Sequence, residues 1–486
     1  MPATPASARP TPPPTQGARR GTVSTIGAIA IGVGGMMGAA IYTLLGLAGS
    51  IAGPWVPVSF IIGGLVSAFS VYSYAKLGAA FPSRGGAGEF LVRGFGNTML
   101  AGGLNVFQFL GWIIAMALYG VGFGGYAASL IPGAPSWTGK AFGVGLVVLV
   151  LLINLIGSKL VSKSEMVVIA IELVILAVFV VFAASHIDPG VFATSADAPG
   201  GAGADILGMF FAAGLLYVAY EGFGVVTNSA GDMANPKKQL PRAMYTALVI
   251  VIAVYVLISA FVVMLMSKAE MTENQGHVLA EAARAAMGEW GFIILAIAAL
   301  LATASAVNAT MYGDANLSFM MATKGEIPED FTRGVWHGGK VGLFVVAGIT
   351  MLFIAVFPLA AVGQMASLAF LLIYASVSVG HLRVRAQTGA KATLLVLAIV
   401  LNIGLFALLL GYTIAQGQVG TWVTLLGVVI VSFVAEWIIR RTTGRELKVA
   451  QIPGVPDATT ATLARGTAPA AAPKTMPPTT PRRRRR

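Results

Sequence analysis

Long apolar stretches that recur along most of the chain are the feature that most constrains its fold. A helix needs about 20 mostly apolar residues to cross the hydrocarbon core of a bilayer, and the 486 residues contain such stretches throughout. Hydrophobic residues make up 57% of the chain and charged residues 10%, which excludes a soluble globular protein. The predicted fold class is an all-α integral membrane protein with twelve transmembrane spans. These are residues 24–47, 52–80, 97–131, 140–158, 164–185, 206–231, 242–267, 289–322, 340–357, 359–380, 391–414 and 418–440.

Lys and Arg residues are distributed very unequally between the two sides of this predicted arrangement. Of the 31 basic residues, Lys140, Lys268 and Arg284 fall on one side, and the other 28 fall on the side that holds both tails. Because loops that remain in the cytoplasm are enriched in Lys and Arg, this pattern predicts an even number of spans. It also predicts a multi-pass protein of the plasma membrane with both termini in the cytoplasm.

The two tails differ in composition from the transmembrane domain, which we place at residues 24–440. Residues 1–23 are rich in Pro and Thr and lack the apolar core of a signal peptide, so we expect a disordered cytoplasmic tail. Residues 441–486 are predicted to form a second disordered cytoplasmic tail, which ends in five arginines. We expect this basic tail to contact anionic lipids, and we expect no nucleic-acid partner.

Two spans carry glycine-rich interruptions near their middle. Span 1 has four glycines within residues 32–38, and each weakens a helix by about 1 kcal/mol relative to Ala, although small residues also permit close helix packing. Span 6 has Gly222 and Gly224 beside an intramembrane carboxylate, Glu221. Spans 1 and 6 lie five apart and cross in opposite directions. Paired interruptions in two inverted halves indicate a transporter binding site near the bilayer midplane.

The directions of the two spans predict a polarity for this site. The second half of span 1 begins near Gly38, where free N–H groups and the helix dipole favour an anion such as a carboxylate. The first half of span 6 ends at residues 218–221, where unpaired carbonyls favour an ammonium group or a small cation. Donors opposite acceptors suit a zwitterion, and an α-amino acid is the simplest one.

Several motifs occur in the order found in one membrane-protein superfamily. They are residues 37–42 (MGAAIY), 81–86 (FPSRGG), 220–223 (YEGF), 232–243 (DMANPKKQLPRA), 307–313 (VNATMYG) and 325–328 (GEIP). At these residues the sequence resembles the amino acid–polyamine–organocation superfamily, specifically its amino-acid permeases, over roughly residues 24–440.

The resemblance implies a LeuT-type fold that works by alternating access. It has two inverted five-helix repeats, at about residues 24–185 and 206–380, followed by helices 11 and 12 at about residues 391–440. Substrate contacts carried over from the family fall on Met36, Gly38, Ala39, Ala40, Val218, Glu221 and Gly222. Two positions depart from the family pattern: Ala40 replaces a glycine, which tightens the carboxylate pocket, and Gly224 stands where some antiporters carry a glutamate.

Three of the acidic residues within the predicted spans are candidates for function, because an unpaired charge inside the membrane costs several kcal/mol. Glu172 in span 5 takes a position at which proton-coupled relatives carry a lysine. It is predicted to exchange a proton, to bind Na⁺, or to bond to a neighbour such as Asn154 or Asn308. Glu221 either binds a cation or accepts hydrogen bonds at the break in span 6. Asp314 in span 8 is a further candidate for coupling.

Aromatic residues near the interruptions are candidate gates for the pocket. Tyr42, Tyr217, Tyr220 and Phe223 are large enough to close a site, although lipid-facing or core packing explains each one equally well. Farther along, Glu436 and Arg440 lie one helical turn apart in span 12 and are expected to pair.

Other classes of function find no support in the sequence. Four scattered histidines and no cysteines predict neither a metal site nor a cofactor, apart from a coupling ion, H⁺ or Na⁺. Residues 334–340 have phosphate-loop spacing, but Val341 replaces the required Ser or Thr. We therefore expect no enzymatic activity.

The predicted function is proton- or sodium-coupled uptake of an amino acid, and the alternatives are transport of an organic cation or polyamine, or of potassium.

Overall fold

A computed structural model describes residues 22–83, 86–156, 161–186, 201–323, 329–332 and 341–443. The predicted tails, residues 1–23 and 441–486, therefore lie almost entirely outside the described residues. The 325–328 motif and the phosphate-loop-like segment 334–340 also lie outside them.

Helices make up nearly all of the described chain. Those of the first half are α1 (Thr25–Met37), α2 (Ala40–Ala52), α3 (Val56–Ala80), α4 (Gly86–Phe95), α5 (Met99–Ser129), α6 (Thr138–Ile156) and α7 (Val161–Ala183). Those of the second half are α8 (Gly201–Leu216), α9 (Pro236–Leu265), α10 (Lys268–Glu273), α11 (Val278–Met287), α12 (Glu289–Thr323), α13 (Val341–Val356), α14 (Leu359–Thr388), α15 (Ala392–Ala415) and α16 (Val419–Thr443). Short 3₁₀ helices occupy Gly53–Trp55 and Glu329–Thr332, and a long one occupies Tyr217–Asp232.

The predicted class, an all-α membrane protein, is confirmed, since the described residues form no strand and every predicted span falls on helical structure. Nine helical stretches are long and apolar enough to cross a bilayer, and three shorter apolar helices accompany them in the described chain. One stretch, Ala40–Ala80, contains both α2 and α3. Helix length and composition do not establish how many segments cross, so the count of twelve spans stays a prediction.

Both predicted interruptions are present, in different forms. Helix α1 ends at Met37 and α2 begins at Ala40, so Gly38 and Ala39 form a turn between two helices. Helix α8 ends at Leu216, and the chain then continues as a 3₁₀ helix over Tyr217–Asp232. Runs of 3₁₀ helix longer than three or four residues are uncommon and often mark a functional hinge. Span 6 is therefore rewound over sixteen residues rather than broken at one point.

Three short helices were not predicted because each is too short for a membrane-spanning apolar run. Helix α4 follows α3 and buries Phe90 and Leu91. Helices α10 and α11 lie between α9 and α12 and cover the end of α2, where Gly46 closely approaches the Gln275 carbonyl. A capping box between Ser267 and Glu270 starts α10, and these hydrogen bonds hold the pKa of the Glu270 carboxyl below its ordinary value.

Candidate functional site

The two interrupted segments touch through their backbones. Gly222 in the 3₁₀ helix lies so close to Gly35 in α1 that a methyl group on Gly222 would collide with the backbone of Gly35 and Met36. Nearby, Gly32 lies against Ala247 of α9 and Val226 of the 3₁₀ helix. Glycines predicted to weaken the spans therefore also bring them into contact.

A tyrosine from α9 joins the two segments. The Tyr255 hydroxyl lies 2.5 Å from the Met36 carbonyl and 3.3 Å from the Ala219 carbonyl, and it can donate to either. Met36 is in the last turn of α1, and Ala219 is at the start of the 3₁₀ helix. The ring of Tyr255 is fully buried and packs on Tyr220, with ring centroids 5.5 Å apart. This side chain therefore links carbonyls of the two interrupted segments.

Helix α14 holds the 3₁₀ helix from another side. The Ser367 hydroxyl accepts a hydrogen bond from the Val218 N–H at 3.2 Å and donates a short one to the Leu215 carbonyl. Two turns farther along the same helix, the Tyr374 hydroxyl donates to the Glu221 carbonyl at 2.8 Å. Both α14 side chains are buried. They stabilise the point at which α8 gives way to 3₁₀ geometry.

These contacts modify the prediction of unpaired carbonyls at residues 218–221. The Ala219 carbonyl is within reach of the Tyr255 hydroxyl, and the Glu221 carbonyl accepts from Tyr374. A carbonyl oxygen has two lone pairs, so each retains capacity for a second donor. The acceptors of this segment are therefore already oriented, and partly used, by tyrosine side chains.

The start of α2 retains the donors expected of it. Ala39 is the N-cap residue and makes no side-chain capping bond. The Thr43 N–H and hydroxyl both reach back to the Ala39 carbonyl, at 3.0 and 2.9 Å. The N–H groups of the first turn, at Ala40 and Ile41, have no partner within the helix by its geometry. They form a local positive end next to Gly38. A methyl group on Gly38 would be in ordinary van der Waals contact with Ala306 of α12.

All three predicted carboxylates are buried. Glu172, Glu221 and Asp314 are 2%, 1% and 3% exposed, and one oxygen of each has no hydrogen-bond partner among the described residues. No described Lys or Arg side chain forms an ion pair with them. Glu221 and Asp314 are close enough for their charges to interact. A carboxylate in these surroundings needs a proton or a bound cation.

Among the described residues, Glu172 forms no hydrogen bond with Asn154 or Asn308. Asn154 of α6 donates to Asn308 of α12 at 2.9 Å, so the two amides bond to each other. The Glu172 carboxyl lies within electrostatic range of the hydroxyls of Tyr42 and Tyr255. Glu172 is therefore close to the turn in span 1, although its role in coupling stays a prediction.

The candidate gating aromatics are all buried, and two of them form hydrogen bonds with α3. Tyr217 bonds to the Ser70 hydroxyl at 2.8 Å, and Tyr220 donates to the Phe60 carbonyl at 2.8 Å. The Tyr42 hydroxyl has no hydrogen-bond partner in the described chain. Phe223 packs against Tyr374, with ring centroids 4.9 Å apart. Whether any of them gates the site stays a prediction.

Sequence reasoning missed Tyr255, Ser367 and Tyr374. Each is a hydroxyl-bearing residue inside an apolar span, which is a weak signal because buried hydroxyls commonly bond to their own helix. Ser259 and Ser376, on the same two helices, do bond in that way. Only the packing of α9 and α14 against the interruptions shows which hydroxyls bond to the site and which bond to their own helix.

Comparisons with known proteins agree with this architecture. The model of the amino acid permease family matches residues 23–436. An uncharacterized protein of Methanocaldococcus jannaschii is 32% identical over 426 residues, 87% of this chain and 97% of the relative. The inner membrane transport protein YbaT of Escherichia coli is 27% identical over 85% of this chain and 95% of its own length. The branched-chain amino acid permease BcaP of Bacillus subtilis is 25% identical over 62% of this chain and 67% of its own length.

The fold and these relatives define a multi-pass membrane transport protein with a LeuT-type fold. More specifically, the chain belongs to the amino acid permease family, within the amino acid–polyamine–organocation superfamily.

Proposed function

We propose that this permease takes up an α-amino acid by alternating access, coupled to H⁺ or Na⁺. The observation that carries the proposal is the contact between the two interrupted segments at Gly35 and Gly222. This contact joins α1, just before the expected donors at the start of α2, to the segment whose carbonyls we propose as acceptors. A carboxylate is favoured at the N-terminal end of a helix and an ammonium group at oriented carbonyls. The substrate contacts we propose are those carried over from the family: Met36, Gly38, Ala39, Ala40, Val218, Glu221 and Gly222.

Coupling is assigned to the buried carboxylates. Glu172 and Asp314 are almost fully buried, and none of the described basic side chains pairs with them. Each therefore has to take up a proton or a cation when it is withdrawn from water. A transport cycle that alternately exposes such a group to the two sides of the membrane links its loading to movement of the substrate.

A cationic substrate is the second candidate. Glu221 places a carboxyl group inside the 3₁₀ helix, within electrostatic range of the Asp314 carboxyl. Two carboxylates near one pathway favour an organic cation, a polyamine or K⁺ over a zwitterion. This alternative retains the same site and the same alternating-access cycle.

Uptake by purified protein in proteoliposomes separates the candidates. Labelled amino acids, polyamines and Rb⁺, a tracer for K⁺, are offered with an imposed proton or sodium gradient. We expect gradient-driven accumulation of an amino acid, competed by other amino acids. Accumulation of Rb⁺ or a polyamine that no amino acid inhibits would contradict the leading proposal and support the second.

The coupling role of Glu172 is tested by Glu172→Gln, which retains the shape but removes the titratable group. We expect gradient-driven accumulation to fall about tenfold or more, while exchange of internal for external substrate remains measurable. Glu273→Gln is the control, because this carboxyl is exposed. Accumulation by Glu172→Gln equal to that of the unmodified protein would remove Glu172 from the mechanism.

A further inference from the structure

Two arginines contact the turn that joins α4 to α5, and a third arginine directly follows one of them in the chain. The turn contains Gly96, with φ +70°, and Thr98, which caps α5 by accepting from the Ala101 N–H. Arg383, near the end of α14, stacks over Phe95 with its guanidinium carbon 4.8 Å from the ring centroid. Arg440, near the end of α16, donates to the side-chain oxygen of Asn97 at 3.0 Å. The two helices thus bring guanidinium groups to residues only two positions apart.

A third guanidinium extends this cluster along α16. Arg441 stacks over Trp437, with its guanidinium carbon 4.2 Å from the ring centroid. We call Arg383, Arg440 and Arg441, together with the turn at residues 95–98, the arginine corner. It lies at helix ends on the side of the molecule where most basic residues fall.

The arginine corner has a surplus of positive charge. Arg440 pairs with the buried carboxylate of Glu436 at 2.5 Å, as the sequence predicted. Arg383 and Arg441 are exposed, and neither has an acidic partner among the described residues. The corner thus contains three guanidinium groups, and the Glu436 carboxylate pairs with one of them, Arg440.

Large apolar side chains surround these charges. Met99, Leu100, Trp437 and Ile438 are 39%, 42%, 44% and 47% exposed. Met99 and Leu100 directly follow the turn, and Trp437 and Ile438 precede Arg440. Basic residues and Trp beside exposed apolar side chains are typical of the level where lipid head groups meet acyl chains.

We propose that the arginine corner binds the head group of an anionic phospholipid. Planar guanidinium groups bind phosphate in a bidentate manner, and each basic residue near an anionic lipid surface contributes about 1 kcal/mol. The exposed apolar residues supply contacts for the acyl chains, which a free anion does not need. A lipid head group held by Arg383 of α14 and by Arg440 and Arg441 of α16 would add a link between two helices that both contact the turn at residues 95–98. This proposal is independent of the substrate that the permease carries.

The test compares two charge-matched double variants of the full chain. Arg383→Gln with Arg441→Gln removes the two unpaired charges of the corner. Arg385→Gln with Lys391→Gln removes two exposed basic residues on the same side, at the end of α14 and just before α15. Native mass spectrometry measures how much phosphatidylglycerol or phosphatidylcholine each protein retains from mixed vesicles. Thermal midpoints are measured in parallel with increasing phosphatidylglycerol.

We expect the unmodified protein and the Arg385/Lys391 variant to retain phosphatidylglycerol in preference to phosphatidylcholine and to be stabilised by it. The Arg383/Arg441 variant should lose that preference by about tenfold or more. Equal retention by all three proteins would overturn the proposal. Stabilisation by inorganic phosphate equal to that by phosphatidylglycerol would also overturn it, because the site would then bind a free anion. A folded Arg383/Arg441 variant is verified by its thermal midpoint in phosphatidylcholine alone.

Discussion

Tyrosine hydroxyls take much of the hydrogen-bonding capacity that interrupted helices leave free. Tyr255 reaches carbonyls of both interrupted segments, and Tyr374 bonds to the carbonyl of Glu221. A tyrosine can do this inside a membrane protein because its ring is apolar while its hydroxyl satisfies one backbone group. The acceptors of the site are consequently positioned before any substrate arrives.

Removal of the Tyr255 hydroxyl tests this positioning. Tyr255→Phe keeps the packed ring but loses the bond between the Tyr255 hydroxyl and Met36 or Ala219. A neutral hydrogen bond contributes about 1 kcal/mol, so we expect the KM for uptake to rise about fivefold while the protein stays folded. Initial uptake rates over a range of substrate concentrations give KM and kcat separately.

Ser259→Ala is the matched control for that variant. Ser259 is buried on the same helix, one turn from Tyr255, and its hydroxyl bonds only within α9. We expect little change in KM. Equal KM values for Tyr255→Phe and the unmodified protein would show that the hydroxyl does not position the site.

At the scale of elements, backbone contact between α1 and the 3₁₀ helix determines where the two interruptions meet. Residue 222 has to be glycine for this approach, because a side chain there would overlap the backbone of Gly35. Small residues at helix interfaces permit such approaches in membrane proteins generally. The glycines that the sequence marked as helix breakers are thus equally important as contact residues.

Alanine substitutions at Gly222 and Gly224 distinguish the effect of glycine on helix stability from its effect on the contact with α1. In Gly222→Ala the new methyl group collides with the backbone of Gly35, and overpacking costs about 1–3 kcal/mol. We expect uptake to fall about tenfold or more. In Gly224→Ala the methyl group would lie 3.6 Å from Tyr374 and Tyr74, which is ordinary contact.

Uptake by the two alanine variants in proteoliposomes, normalised to folded protein, is the measurement. Gly224→Ala carries the same change in helix propensity, so it controls for stiffening of the 3₁₀ helix. Similar losses in both variants would assign the effect to backbone stiffness and not to the contact with α1.

At the scale of the whole molecule, the unequal distribution of basic residues predicts the orientation in the membrane. The three basic residues on the sparsely charged side all bind neighbours. Lys140 donates to the Ala355 carbonyl at 2.8 Å, Lys268 donates to the Ile51 carbonyl at 3.2 Å, and Arg284 pairs with Glu281 and Glu289. These three positive charges therefore have local structural roles, which explains their presence on that side.

Cysteine labelling tests the predicted orientation, since the chain has no cysteine of its own. Ser136→Cys lies in the exposed connection before α6, and Gln387→Cys lies at the exposed end of α14. In intact cells, a membrane-impermeant maleimide should label Ser136→Cys directly. It should label Gln387→Cys only after permeabilisation. The reverse order would place the termini outside the cell.

The sequence by itself determined the membrane class, the approximate position of every long helix, and the two interruptions. Apolar length, glycine content and charge distribution are local properties, and each span needs only its own residues to satisfy the bilayer. It also located the buried carboxylates Glu172, Glu221 and Asp314, because an acidic residue within an apolar span is visible without any fold. Only the tertiary structure decided which groups of the site are already bonded. That depends on contacts between residues far apart in the chain, such as Tyr255 with Met36 and Tyr374 with Glu221, which no local pattern records.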